Sequence, residues 1–223
     1  MMIFHGSKFI IERPEYGRGS LFNDYGQGFY CTEHIELAKE WACTSEHGGY
    51  ANKYYIDQSG LNVLRLNSDD YNILNWLAVL LENRQFEAPS DIAERARGYI
   101  LDNFLPDYKD ADIITGYRAD DSYFSFARDF ISNGLSVAQL ARAMHLGKLG
   151  EQIVIRSPKA FERLKYDGYE IADHEEYFRK RKLRDDAARA AYRSEKSSAA
   201  DIEHGIFMMD IIRQGWRNED VRI

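Results

Sequence analysis

The sequence predicts an α+β fold on three observations. Short apolar runs at residues 3–4 and 29–32 read as strands on either side of a turn-rich loop that carries Pro14, Gly17 and Gly19. Four segments between residues 71 and 144 repeat apolar side chains at helical spacing, and a late apolar run, Ile153, Val154 and Ile155, reads as another strand. Ile3 and Phe4 deliver His5 to the end of the first strand, where Gly6 leaves the backbone uncovered. Gly26 and Gly28 flank Gln27 and let the chain pass close to a ligand; alternation along the next strand sends Phe29 and Tyr30 to opposite faces. Thr32 is expected to cap a helix with Glu33 and Glu36 in its first turn and Leu37, Ala38, Trp41 and Ala42 at helical spacing.

Residues 50–57 and 61–66 are expected as paired strands about a turn, with Tyr54 and Ile56 on one face. Helices are expected at 71–81, 92–104, 123–131 and 137–144, interrupted near Pro89, Pro106 and Gly134. Residues 112–116 read as a buried strand, and Asp120 or Asp121 as the cap of the helix after it. Pro158 opens a short helix to Leu164, and 166–171 forms a last strand. Residues 173–193 read as a long exposed helix whose basic cluster, Arg179 to Lys182 and Arg184, is a solvated face beside a partial apolar stripe of Tyr177, Phe178, Ala188, Ala191 and Tyr192. The small polar stretch 195–200 reads as a linker, and 201–216 as a helix that must bury Ile202, Ile206, Met209, Ile212 and Trp216. The division is therefore 1–171 for the main domain and 172–223 for a helical extension docked on it.

Tyr30 and Trp41, brought together by this order of elements, suit a flat heteroaromatic cation, which gains stacking and quadrupole attraction between two rings. Five segments carry a resemblance to a known family: Phe4-His5-Gly6-Ser7, residues 24–32 with the Gly-x-Gly-Phe-Tyr block, Ala38-Lys39-Glu40-Trp41-Ala42, residues 112–116, and residues 152–160. Over about three quarters of its length the chain resembles the bacterial DUF3990 group, whose pattern is similar to ADP-ribosyltransferase and poly(ADP-ribose) polymerase catalytic domains. The resemblance implies an ADP-ribosyltransferase-like split β-sandwich with flanking helices, here with a C-terminal helical extension, and NAD bound as substrate between the sheets. His5 matches the histidine that bonds the adenosine ribose, Gly6 the backbone that grips the nicotinamide amide, and Tyr30 the tyrosine stacked on the nicotinamide. Trp41 falls where the polymerases place a second aromatic, and Ser7 and Gly28 belong to the same binding segments.

The third catalytic position is Glu151 in one alignment and Gln152 in the other. Neighbouring strand residues face opposite ways, so only one enters the cleft, and Gln152 is favoured. Cleavage of the ribose–nicotinamide bond develops positive charge on the sugar, which a carboxylate stabilises strongly. A glutamine still accepts a ribose hydroxyl but brings no charge, as in a slower enzyme or one relying on a base of the acceptor. Arginine-modifying relatives carry a second Glu two residues earlier. Gly150 and Leu149 stand at those positions here, which disfavours arginine as acceptor. Arg18 and Arg118 are candidates for the pyrophosphate, with an ordinary surface cation the alternative for each.

Composition frames these expectations. With 223 residues, 44% of them hydrophobic, the chain can build one substantial domain plus an extension. No apolar run approaches a membrane span, and the first eleven residues lack the pattern of a secretion signal, so a cytoplasmic protein with no membrane partner is expected. Cys31 and Cys43 are too few for a disulfide framework and stand in no metal-ligand spacing with the histidines, so no metal is expected. A net charge of -7 argues against general nucleic-acid binding and favours a protein acceptor. The expected activity is NAD-dependent mono-ADP-ribosyl transfer to a macromolecular acceptor, in the manner of a bacterial toxin or effector with a neutralising antitoxin protein as partner. NAD hydrolysis or RNA 2′-phosphotransferase-like chemistry on the same fold is one alternative. A catalytically silent module binding ADP-ribose or a protein is the other.

Overall fold

Two sheets meet along one bridge. The computed structural model describes residues 1–85, 87–119, 121–146 and 150–220, apart from the side chains at 121–123 and 200. One sheet is antiparallel, in the order β1 (Met2–Ser7), β3 (Gly49–Ile56), β7 (Leu164–Ala172). The other runs β2 (Phe29–Cys31), β6 (Glu151–Ile155), β5 (Ile113–Tyr117), β4 (Val63–Arg65), with only β4 and β5 parallel. Phe4 in β1 and Thr32 just after β2 exchange both backbone bonds, at 2.8 and 2.9 Å, and tie the sheets together. The two inner faces share an apolar cluster: Ile3, Tyr54 and Ile56 from the first sheet against Cys31, Ile113, Ile153 and Ile155 from the second. The α+β expectation holds, with the strands divided between two sheets.

The strands expected to pair across residues 57–60 belong instead to different sheets. β3 fills the centre of the first sheet, so both its edges are taken by β1 and β7. β4 is held beside β5 because Asp112 accepts from the Asn62 amide at 2.7 Å and donates its own amide to the Asn62 carbonyl at 2.8 Å. Tyr54 and Ile56 do share a face, and both are fully buried.

Helices α2 (Ile73–Asn83), α3 (Asp91–Phe104), α4 (Asp121–Ile131) and α5 (Val137–Ala143) build the larger core with Ile114 and Val154 of the second sheet. α2 begins two residues later than its periodicity suggested because Asn72 caps it: its side chain accepts from Leu74 and Asn75, and Asn75 returns the bond. Ser136 caps α5 in the same manner with Gln139, and Ser90 caps α3 by accepting from the Ala93 amide. The expected cap at Asp120 or Asp121 lies outside the described residues.

Thr32 does not cap the next helix, since its backbone is engaged with Phe4. α1 (Ile35–Ala42) starts after His34, whose amide donates to the Thr32 hydroxyl at 3.2 Å. α6 (Pro158–Phe161) is a single turn capped by Ser157, and β7 follows it directly.

The C-terminal segment is more continuous than its composition suggested. α7 (His174–Lys196) runs into the expected linker and α8 (Ala199–His204) begins within it, so only residues 197–198 separate the two helices. The helix expected at 201–216 is broken at Gly205, where a side chain would overlap the Asp201 carbonyl and Phe207 bridges to Ser136 instead. This break resets the apolar face. Met208 and Ile211 of α9 (Met208–Gln214) are fully buried, whereas Ile202 is 59% exposed. Ala188 and Tyr192 of α7 join Met208 and Ile211 in the same apolar cluster as α2 to α5.

α7 is fastened to α1 by a bidentate ion pair, Arg184 donating to Glu40 at 3.0 and 2.8 Å, with the Glu40 side chain only 3% exposed. Arg184→Ala leaves that carboxylate buried without its main counter-charge and is expected to lower stability by about 3 kcal/mol. Lys182→Ala, on the exposed side of the same helix, is expected to change it by less than about 0.5 kcal/mol. Urea unfolding of both variants checks the difference.

Candidate functional site

Beyond the Phe4–Thr32 bridge β1 and β2 diverge, and a cavity of about 1030 Å³ opens between them. His5 and Gly6 of β1, Tyr30 of β2, Gln152 of β6 and Trp41 of α1 all line it. The segments that close it are residues 9–15 and 18–28 of the long loop, Arg84 after α2, Arg118 and Ala119 after β5, and one side of α7. Among the described residues its walls carry six arginines against four carboxylates, a positive surplus in a chain of net charge -7. Such a cleft attracts an anionic ligand.

His5 is fixed in one tautomer. Its Nδ1 lies 2.7 Å from the Tyr30 carbonyl oxygen, which can only accept, so Nδ1 carries the proton and Nε2 remains an acceptor. The ring stacks on Phe29 at 4.2 Å. Burial pushes the imidazole pKa below its ordinary value, and the bond to the Tyr30 carbonyl offsets this only in part. The neutral ring is therefore the form at neutral pH. As pH falls through the ordinary histidine value, the unfolded chain takes up its proton first, so the protein loses stability on acidification. His5→Gln is expected to remove that part of the pH dependence, as read from melting temperatures between pH 7.5 and 5.

Gly6 has a different reason from the one its sequence position suggested. A Cβ there would overlap the Ala38 carbonyl and stand 2.9 Å from the Ala42 amide and the Trp41 Cβ, so the missing side chain lets α1 lie on β1. The main chain still faces the cleft. Phe4 spends its amide and carbonyl on Thr32, and in an antiparallel strand the residue two further on points its own the same way, away from β3.

The Tyr30 hydroxyl is occupied within its own loop, donating to the Gly26 carbonyl at 2.6 Å and accepting from the Tyr25 amide at 3.1 Å. Burial pushes this phenol's pKa far above its ordinary value. The hydroxyl is thus no proton donor to chemistry at neutral pH, and the ring is what it offers a ligand. Gly28 allows the approach: a Cβ would stand 2.5 Å from a Val154 methyl and 2.9 Å from the Ile155 carbonyl. Asp24, which the sequence did not single out, latches the loop. Buried in the cleft wall, it accepts from the Ala119 amide at 2.9 Å and pairs with Arg84 at 2.9 Å. Tyr25 adds a second latch, donating to the Tyr117 carbonyl at 2.5 Å and accepting from Trp76 at 3.0 Å.

Adjacent positions on β6 separate as the pleat requires. Gln152 is 7% exposed and lines the cleft. Its Oε1 is buried and accepts no hydrogen bond from any described residue. Glu151 is exposed on the opposite side, in a second hollow with His34, Tyr117 and His145, where the Tyr117 hydroxyl lies 3.3 Å from His145 Nε2.

The remaining candidates divide. Arg118 lines the cleft and lies over the Trp41 ring at 4.5 Å, so one face of the indole is already covered by a cation. The Trp41 indole nitrogen is buried with no hydrogen-bond partner among the described residues. Arg18 lines the cleft but pairs at 2.7 Å with exposed Glu15. Ser7 stands outside the lining, its hydroxyl accepting from the Phe9 amide at 3.1 Å. Sequence reasoning missed Asp24, Arg84 and the α7 side chains Arg181, Asp185 and Arg189. The four-residue spacing of the last three marks a single helix face, but not which wall it meets.

The sequence model of a family described as "Protein of unknown function (DUF3990)" matches residues 1–166, which contain every cleft residue named above except those of α7. No curated protein and no solved structure matches the chain.

Proposed function

The chain belongs to the DUF3990 family, and from the geometry of its cleft we propose that it is an NAD-dependent ADP-ribosyltransferase of ADP-ribosyltransferase-like split-sandwich fold. The observation that carries this reading is the buried Gln152 oxygen, which accepts no hydrogen bond from the described residues, in one cavity with His5 and Tyr30. A buried acceptor without a donor calls for one from outside the chain. A ribose hydroxyl is such a donor. His5 Nε2 supplies a second acceptor for the other ribose, the Tyr30 ring a stacking surface, and the Gly6 main chain a donor and an acceptor for the carboxamide. The volume of about 1030 Å³ and the surplus of arginine suit a dinucleotide diphosphate.

In the reaction the ribose–nicotinamide bond breaks, nicotinamide leaves, and the ribose carbon bonds to an acceptor nucleophile that gives up its proton. This chain's residues hold the two riboses and the ring in line, and Gln152 orients a hydroxyl beside the reacting carbon without adding charge. The proposed acceptor is a macromolecule, protein rather than nucleic acid, and a cytoplasmic toxin or effector role with an antitoxin partner belongs to the same proposal. One observation favours a second reading, a silent ADP-ribose-binding module: the third position is an uncharged amide, and the buried carboxylate nearby, Asp24, is engaged by Arg84 and the Ala119 amide. NAD labelled on both nicotinamide and adenylate, incubated with the protein and a lysate, separates them. Nicotinamide release with adenylate label on a macromolecule supports transfer. Release without such label means hydrolysis, and unchanged NAD removes the enzyme reading.

A further inference from the structure

We propose that α7, which lies outside the family-matched residues, is part of the ligand site, with Arg181 binding the diphosphate of the nucleotide in the cleft. This rests on the cleft being the NAD site. α7 crosses the cleft between two anchorages. At one end Tyr177 and Lys180 bond Glu36 at 3.2 and 3.3 Å, and Arg184 holds buried Glu40. At the other, the Tyr192 ring stacks on Phe126 at 3.8 Å and donates to Asp129 at 2.6 Å, while Gln139 donates to the Glu195 carbonyl at 2.6 Å. A helix fixed at both ends presents the row on its cleft side rigidly.

That row is Arg181, Asp185 and Arg189, one residue per turn and about 12 Å from first to last along the axis. All three line the cavity. Arg181 differs from its basic neighbours. Lys180 and Arg184 are committed to carboxylates of α1, whereas Arg181 makes no ion pair with any described residue. A half-buried guanidinium facing a cleft, with no hydrogen bond to any described residue, matches the planar, bidentate chemistry of a phosphate. The basic run in α7 thus divides by function, part of it docking the helix and part of it facing the ligand. The extension then serves recognition as well as stability.

Calorimetric titration of NAD, ADP and nicotinamide into wild-type, Arg181→Glu and Lys182→Glu proteins tests this. Arg181→Glu is expected to weaken NAD and ADP about tenfold, equivalent to about 1.4 kcal/mol, and to leave nicotinamide within twofold. Lys182→Glu makes the same charge change on the exposed side of α7 and is expected to alter none of them by more than twofold. Arg181→Gln, with a melting curve for each protein, covers a reversal that disturbs folding and is expected to weaken NAD in the same direction. NAD binding unchanged in both Arg181 variants, or weakened equally by Lys182→Glu, would overturn the assignment. A wild-type protein that binds ADP through Arg181 but neither NAD nor nicotinamide would keep the α7 site and remove the NAD reading. One that binds none of the three would remove both.

Discussion

Gln152→Ala is expected to lower nicotinamide release by at least about 100-fold, mostly in kcat, since it removes a fixed dipole that acts beside the reacting ribose. Stability should change far less, because Gln152 Oε1 takes no hydrogen bond from the described residues and truncation relieves an unsatisfied buried acceptor. That pairing of a large kinetic loss with a small stability change is the signature of a residue held for a ligand. Glu151→Ala, one position away and on the other side of β6, is expected to retain release within about threefold. Should the Glu151 variant lose activity and the Gln152 variant keep it, the third catalytic residue has been misassigned. Steady-state release from labelled NAD, with urea unfolding of each variant, measures both quantities.

Gly6→Ala should damage fold and site together. The new methyl would overlap the Ala38 carbonyl, a backbone atom of α1 that cannot rotate away, so the helix must lift from β1. We expect a loss of roughly 3 kcal/mol, at the upper end for overpacking by one methyl. Trp41 rides on the same helix and Gly6 supplies cleft backbone, so a displacement of about 1 Å is expected to cost about 100-fold in turnover as well. Gly98→Ala supplies the opposite sign. Gly98 lies inside α3, where a Cβ would meet no described atom within 4 Å beyond its chain neighbours and the helix's own backbone, and alanine there is expected to stabilise by about 0.5–1 kcal/mol. Thermal melting and nicotinamide release should therefore move down for one glycine, while the other raises the melting temperature and leaves release unchanged.

The contrast between these glycines marks how far the sequence could be read. Helices with strong caps and long apolar stripes, such as α2 and α3, were legible to within a residue or two, because capping and periodicity are local. Strand pairing was not. Residues 50–57 and 61–66 looked like a hairpin, yet the partners of β3 lie at residues 2–7 and 164–172, and pairing over such separations leaves no local trace. The convergence of His5, Tyr30 and Gln152 on one cavity was expected from the resemblance, and the pleat settled which of two adjacent residues on β6 faces it. Asp24 and Arg84 carry no signal in the sequence because an aspartate in a turn-rich loop and an arginine at a helix end are ordinary on their own. Only the fold brings them to 2.9 Å. α7 reads as solvated because charge dominates it, although Arg181, Asp185 and Arg189, at four-residue spacing, line the cleft.

The most direct test of the account is a structure of the Gln152→Ala protein, slowed in turnover, determined with NAD. The account predicts nicotinamide against the Tyr30 ring with its carboxamide on the Gly6 main chain, a ribose hydroxyl on His5 Nε2, and the diphosphate toward α7. NAD seated in the hollow of Glu151, Tyr117 and His145, or absent from the protein at saturating concentration, would contradict it.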